Sequence, residues 1–194
     1  MISGVILSAG QSSRLKRPKQ LLELGGEPVL RHVVRNASLS HLDQIVLVLG
    51  HEAAAIEDAV GDWGQTLAIN PGFMSGQSSS LKVGLSAVDP NAEAVIFLLG
   101  DQPQVSTAVI NAVVDRFRHG DARIVMPSYR GKRANPVLFA REFFPKLARI
   151  TGDQGARSIV RAHPLDVATV EIDADPPLDI DTEQDYERLR AVWS

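Results

Sequence analysis

Short runs of apolar, β-branched residues alternate along the chain with longer stretches in which apolar residues recur every three or four positions. Four runs are clear, residues 4–7 (GVIL), 44–49 (QIVLVL), 67–69 (LAI) and 94–99 (AVIFLL), and a fifth lies at 124–126. Each is continuous rather than alternating, which suits a strand covered on both faces. Between them Leu30, Val33, Val34 and Ala37 keep the spacing of a helix with one apolar face, and the same period recurs at Ile56, Ala59 and Val60 and at Leu81, Gly84 and Leu85. Val109, Ile110, Val113, Val114 and Phe117 predict a further helix, opened by Ser106 or Thr107 as N-cap and closed near Gly120. Strands alternating with crossover helices predict an α/β fold, a Rossmann-like three-layer αβα arrangement around a mostly parallel central sheet.

After Pro127 the pattern loosens, with Gly131, Pro136 and Pro145 as punctuation and a late strand at 167–172. A last helix over 183–192 is announced by Thr182 with Asp185 three residues on, the spacing of a capping box. There is no internal repeat, no low-complexity tract and no linker long enough to mark a boundary, so 194 residues read as a single domain, 1–194.

Composition removes several kinds of chemistry. The chain has no cysteine, which excludes disulfides, thiolate-bound metals and a thiol nucleophile, so any metal must sit on carboxylates. With 20 Lys and Arg against 23 Asp and Glu the net charge is only −3, and the basic residues are scattered, so no nucleic-acid partner is expected. No apolar run is long enough to span a bilayer and no basic leader precedes the first strand, so a cytoplasmic protein without a membrane partner is expected.

The most informative stretch is residues 8–22, SAGQSSRLKRPKQLL, directly after the first strand. An α/β sheet binds its ligand at the carboxyl ends of its strands. Ala9 and Gly10 leave the backbone open to an anion, while Arg14 and Lys19 supply a guanidinium and an ammonium for a triphosphate. The alternative is an ordinary polar loop with solvated charges, but 8–20 is longer than such connections need. The spacing is neither GxGxxG nor GxxxxGK, against a dinucleotide enzyme and a P-loop. Two acidic groups follow. Asp101 stands in Gly100-Asp101-Gln102-Pro103 at the end of the 94–99 run, either as a metal ligand or as a turn residue. Asp179 and Asp181 alternate along an extended segment and so face one way, as partners in a metal site, unless Asp181 or Thr182 serves only to cap the last helix. The hydroxyl-rich start of the third predicted helix, with Ser80, either caps that helix or reads a base.

The motif A-G-x-S-x-R followed by P-K-Q-L-L resembles the signature of the MobA-like nucleotidyltransferases, and within them the molybdenum cofactor cytidylyltransferases. The likeness runs from Leu7 to Asp185 and implies the nucleotide-diphospho-sugar transferase fold, with about 1–105 binding the nucleotide and about 106–194 the acceptor. It implies catalytic roles for Arg14, Lys19 and Asp101, and nucleotide contacts from Leu7, Ser8, Ala9, Gly10, Arg14, Lys19, Asn70, Ser80 and Gly100. It places the metal, Mg²⁺ with Mn²⁺ as a substitute, on Asp101 and Asp181. Acceptor contacts fall to Asn135, Asp153, Arg157 and Asp179; Gly152-Asp153-Gln154-Gly155-Ala156-Arg157 matches G-D-x-G-x-R, although a solvated arginine is the plain reading of Arg157. Leu7-Ser8-Ala9-Gly10 is closer to the LAAG turn that accompanies CTP than to the LAGG turn that accompanies GTP, and Gly100 stands where the guanylyl branch has cysteine. Ala134-Asn135-Pro136 departs from the family's G-H-P. The implied reaction is transfer of CMP from CTP to the phosphate of molybdopterin with release of pyrophosphate, and transient contact with an apo-molybdoenzyme. Other readings are the same chemistry on methylerythritol phosphate or a sugar phosphate, and a non-catalytic carrier of the molybdenum cofactor.

Overall fold

The protein folds in the order β1 (Ile2–Ser8), β2 (Glu23–Leu24), β3 (Glu27–Pro28), α1 (Val29–Ser38), β4 (Gln44–Leu49), α2 (Ala53–Val60), β5 (Thr66–Ile69), α3 (Gln77–Ser86), β6 (Ala94–Leu99) and α4 (Thr107–Arg118). The second half adds β7 (Ile124–Tyr129), β8 (Lys132–Arg133), β9 (Val137–Ala140), α5 (Phe144–Leu147), α6 (Arg157–Ala162), β10 (Val167–Ile172) and α7 (Glu183–Val192). The structure is a computed structural model. It describes residues 1–12, 14–152 and 155–193, so Asp153 lies outside the described residues.

The main sheet runs β10-β7-β9-β6-β1-β4-β5, with β8 paired to β7. All the pairings of β1, β4, β5 and β6 with one another are parallel; β9 runs against its neighbours β6 and β7, β8 runs against β7, and β10 is parallel to β7. The chain leaves β1 towards β4 and β5, then returns to place β6 on the other side of β1. The β1/β6 boundary is therefore the point where strand order reverses, and loops leaving the two strands part to form a crevice. Val5 sits between Val46 and Phe97 in register.

Period-two alternation divides the strand side chains between two cores. Ile2, Ile6, Leu47, Ile96 and Leu98 pack with α1, α2 and α4 on one face; Val5, Val46, Val48, Val95 and Phe97 pack with α3, α5 and α6 on the other. The three-layer αβα prediction is therefore correct. Close approach of α3 needs Gly84: a Cβ there would overlap Val5 Cγ1 and lie 2.9 Å from Val48 Cγ2. Ser106 caps α4 by accepting from Val109 N, and Thr182 and Asp185 form the capping box of α7 in both directions. No helix among the described residues is long and apolar enough to cross a membrane.

Two elements differ from the sequence expectation. The stretch between the first strand and α1 is not all loop, since residues 19–21 make a 3₁₀ turn and β2 and β3 a small antiparallel hairpin. Beyond Pro127, β9 is a fully integrated central strand. Four residues after a proline are too few to carry a period, and only pairing with β6 and β7 makes them a strand. A third apolar cluster joins Leu15, Leu22 and Leu24 to Ile180, Tyr186 and Leu189, and so holds α7 against the loop that follows β1.

Candidate active site

The loop after β1 is shaped by its own hydrogen bonds. The buried Gln20 amide donates to the carbonyls of Ser8 and Gly10 at 3.0 and 3.2 Å, folding the loop back over the strand end. Lys19 N donates to Ser12 Oγ at 3.0 Å, and Ser12 itself takes a positive φ of 54°. Ala9 packs at the end of β4, where Gly50 is required: a Cβ there would lie 2.8 Å from Ala9 O and 2.9 Å from Phe73 Cβ.

The crevice holds a cavity of about 250 Å³ at the ends of β1 and β6, lined by Leu7, Ser8, Ala9, Gly10, Lys19 and Gly100 together with Phe73, Gln77 and Ser80. Ser8 Oγ is buried without a hydrogen-bond partner, an orphan that a bound polar group can satisfy. Asn70 lies behind this wall. It is 2% exposed, and its amide donates to Ser79 Oγ and Ser80 Oγ at 2.9 Å each while its oxygen accepts from Gly72 N. Ser80 reaches the cavity; Asn70 fixes Ser80.

Asp101, one residue beyond β6 and its Gly100, receives a hydrogen bond from the Lys19 ammonium. The same ammonium lies 3.4 Å from Asp181 Oδ1, and Arg14 lies 3.0 Å from Asp181 Oδ2. Asp179 accepts from Gln102 Nε2 at 2.6 Å. Asp179, on Gln102, and Asp181, on Lys19 and Arg14, flank the fully buried Ile180. Arg14 is largely exposed and sits on Asp181 outside the small cavity, whereas Lys19 lines it. Thr182 is the cap of α7, which leaves Asp181 free for this cluster.

Burial works against charge on both members of the Lys19–Asp101 pair. For Lys19 the penalty of burial is outweighed by Asp101 and then Asp181, so its pKa is raised and the ammonium is held charged. For Asp101 burial raises the pKa, Lys19 opposes it and the neighbouring Asp179 charge adds to it, leaving the carboxyl above the ordinary aspartate value. The Lys19 ammonium is the cation that partners this buried carboxyl. No group of three or more His, Cys, Asp or Glu among the described residues is arranged to hold a metal ion alone. One or two aspartates suit an ion such as Mg²⁺, which completes its shell with phosphate and water.

A second cavity of about 540 Å³ opens beside the first and shares Leu7, Leu99 and Gln77 with it. It is lined by Asn135, Arg157 and Asp179, three of the four residues expected at the acceptor, and by Gln102, Arg133 and Arg161. Sequence reasoning singled out neither Arg133 nor Arg161, nor Phe73, Gln20 or Gly50. The only signal for Gln20 was its place in Pro18-Lys19-Gln20; the others lie in segments with no motif of their own.

Residues 4–167 match the MobA-like NTP transferase domain. The crystal structure of Rv0371c from Mycobacterium tuberculosis H37Rv superimposes with a TM-score of 0.89 at 35% identity, covering 98% of this chain and 97% of that one. The same protein has been solved in complex with manganese, at 34% identity and a TM-score of 0.87, covering 98% of each chain. Purine catabolism protein PucB of Bacillus subtilis is 29% identical over 98% of this chain and 97% of its own length. Nicotine blue oxidoreductase of Paenarthrobacter nicotinovorans is 27% identical over 97% and 96%. The α/β fold is that of the nucleotide-diphospho-sugar transferases, and by the domain match over residues 4–167 the chain belongs to the MobA-like NTP transferase family, a family of nucleotidyltransferases.

Proposed function

We propose that the protein transfers CMP from CTP to the phosphate of a molybdopterin-type acceptor and releases pyrophosphate. The observation that carries this reading is the meeting of two cavities at the ends of β1 and β6, with Asp101 and Lys19 on the wall of the small one, Asp181 3.4 Å from Lys19, and Asp179 on the wall of the large one. CTP occupies the cavity behind the β1 loop. The backbone of Ser8, Ala9 and Gly10 binds its phosphates, and Ser80, held by Asn70, contacts the base. Gly100 accords with the cytidine branch: a Cβ there would stand 2.5 Å from Ser8 Oγ, so a cysteine at this position conflicts with the serine present.

Asp101 and Asp181 hold the divalent ion, Mg²⁺ or Mn²⁺, which supplies electrostatic stabilisation of the triphosphate when bound. The manganese complex of Rv0371c supports divalent metal use in this fold. Lys19 and Arg14 turn from the aspartates to the triphosphate and neutralise the charge that accumulates on the leaving pyrophosphate. Asn135, Asp153, Arg157 and Asp179 orient the acceptor so that its phosphate oxygen reaches the α-phosphorus in line. That nucleophile is already an anion, so no side chain has to remove a proton, and catalysis is by position and charge. The product is handed to an apo-molybdoenzyme by transient contact.

The test is pyrophosphate release by the purified protein with Mg²⁺ and each of CTP, GTP, ATP and UTP, with and without molybdenum-loaded molybdopterin. Release is expected only with CTP and the pterin together. Release with GTP in place of CTP overturns the base assignment, release with methylerythritol phosphate but not the pterin overturns the acceptor, and cofactor binding without release under any nucleotide makes the protein a carrier.

A further inference from the structure

The smaller cavity is bounded mostly by residues that bring little more than backbone, Ala9, Gly10, Gly76 and Gly100. Phe73 is the one aromatic side chain on its wall among the described residues, and the bulkiest group there. It stands on the Phe73–Ser75 3₁₀ turn between β5 and α3. Asn70 ties this turn to the start of α3: its oxygen accepts from Gly72 N, and its amide donates to Ser79 Oγ and Ser80 Oγ. Phe73 is thereby joined to Ser80, the residue read above as the base contact. Lys19 and Asp101 reach the same cavity from elsewhere, the β1 loop and the residues beyond β6.

Phe73 is supported from behind. Its Cβ sits so close to Gly50 that a Cβ on that glycine would lie 2.9 Å away, and its ring meets that of His51 with centroids 6.1 Å apart and planes inclined by 48°. The residue also packs on the core cluster that holds Val5 and Val48. Ser75 closes the turn, its N and Oγ donating to Gly72 O at 2.9 and 2.8 Å. Met74, the next residue along, is 79% exposed and takes no part in the cavity wall. At about 250 Å³ the cavity falls below the roughly 300–1,000 Å³ that enclose whole small ligands, so it holds one portion of a nucleotide. A pyrimidine is a single ring. A purine carries a second, fused ring, and its extra atoms need space of the kind that Phe73 fills.

Resting on the nucleotide reading above, we propose that Phe73 is a specificity-determining residue: it closes the cavity to the second ring of a purine and offers its own ring as a face for a pyrimidine. Hydrogen bonds from Ser80 read the edge of the base, and Phe73 sets its size. Phe73 acts on the nucleotide and not on the acceptor, because it lines the smaller cavity alone.

Specificity is read without turnover, by calorimetric titration of CTP, UTP, GTP and ATP with Mg²⁺ and no acceptor. The wild type should bind CTP at least about tenfold more tightly than GTP or ATP. In Phe73→Ala, CTP and UTP should each weaken by about tenfold, the loss of one contact between a base and an aromatic face, while GTP and ATP hold or tighten. The ratio of CTP to GTP affinity therefore falls by at least about tenfold. Phe73→Leu keeps much of the apolar bulk and should lie between, and it carries the test if the alanine variant does not fold. Met74→Ala, on the same turn, should leave all four affinities unchanged, with thermal unfolding checking the fold of each variant. A merely structural Phe73 would weaken the four nucleotides alike; an unchanged ratio in the alanine and leucine variants overturns the proposal and leaves the base assignment standing. A wild type that binds GTP or ATP as tightly as CTP overturns both. Collapse of the ratio in Phe73→Ala, with no pyrophosphate released by the wild type from CTP and the pterin, retains Phe73 as the specificity residue and rejects the cytidylyltransferase reading.

Discussion

The two sides of the crevice are built differently. On the nucleotide side most polar side chains are already engaged. Gln20 holds Ser8 and Gly10, Asn70 holds Ser79 and Ser80, and Lys19 holds Asp101 with Asp181 close by. On the proposed acceptor side Gln102 is bound to Asp179, whereas Arg133, Arg157, Arg161 and Asn135 have no hydrogen-bond or ion-pair partner among the described residues. A loop organised in advance loses little conformational freedom when a triphosphate binds. It can serve the same nucleotide chemistry in many relatives. Under the proposed reading the uncommitted groups on the other wall set which acceptor is taken, and Asn135 falls on that wall.

The comparison breaks most severely at Asp101. Asp101→Asn keeps the shape and removes the charge that Lys19 shares with the proposed metal; under the proposed function pyrophosphate release should fall by about a hundred- to a thousandfold, the loss typical of a preorganised electrostatic group. The affinity for the pterin acceptor should change little, because Asp101 lines only the nucleotide cavity. Equal loss on both sides would show that the crevice is one site and not two. Metal titration over a range of pH sharpens the point. Burial raises the Asp101 pKa, so protons should compete with Mn²⁺ at a higher pH than they do at an exposed aspartate, and the affinity should fall as the solution is acidified through that raised value.

The scaffold of the nucleotide side gives the next effect. Gly84→Ala drives a methyl into Val5 and Val48 and pushes α3, which carries Ser80, away from the sheet. Overpacking of this kind costs about 1–3 kcal/mol, read as a lower midpoint of thermal unfolding. The affinity for CTP should fall with it.

The smallest expected effect is at the cap of α7, which carries the Asp179 to Asp181 segment to the crevice. Thr182→Ala removes one direction of the capping box and should cost about 1 kcal/mol of stability by denaturant titration. The Thr182 hydroxyl, aided by its N–H, lowers the Asp185 pKa. A carboxyl held below its unfolded value contributes stability above that unfolded value and loses it as pH falls through the folded one. In Thr182→Ala this acid-dependent loss should be smaller than in the wild type. Asp101 has the opposite sign: its contribution is present below the unfolded pKa and lost as pH rises through the raised one.

Local order accounts for what was legible beforehand. The continuous runs that became β1, β4 and β6, the apolar period of α1 and α4, and the Thr182 cap all depend on residues within a turn or a strand of one another. Those signals survive in a chain read without its neighbours. The β1 loop and Asp101 stood out because each directly follows an apolar run, and an α/β sheet offers its crevice at the carboxyl ends of its strands. Long-range packing decided the rest. β9 is a strand because β6 and β7 leave their edges to it, and Lys19 meets Asp181 across 162 residues because Leu15, Ile180 and Leu189 are buried together. Arg133 and Arg161 share a cavity for the same reason: hydrophobic burial is non-directional and acts between segments however far apart they lie in the chain.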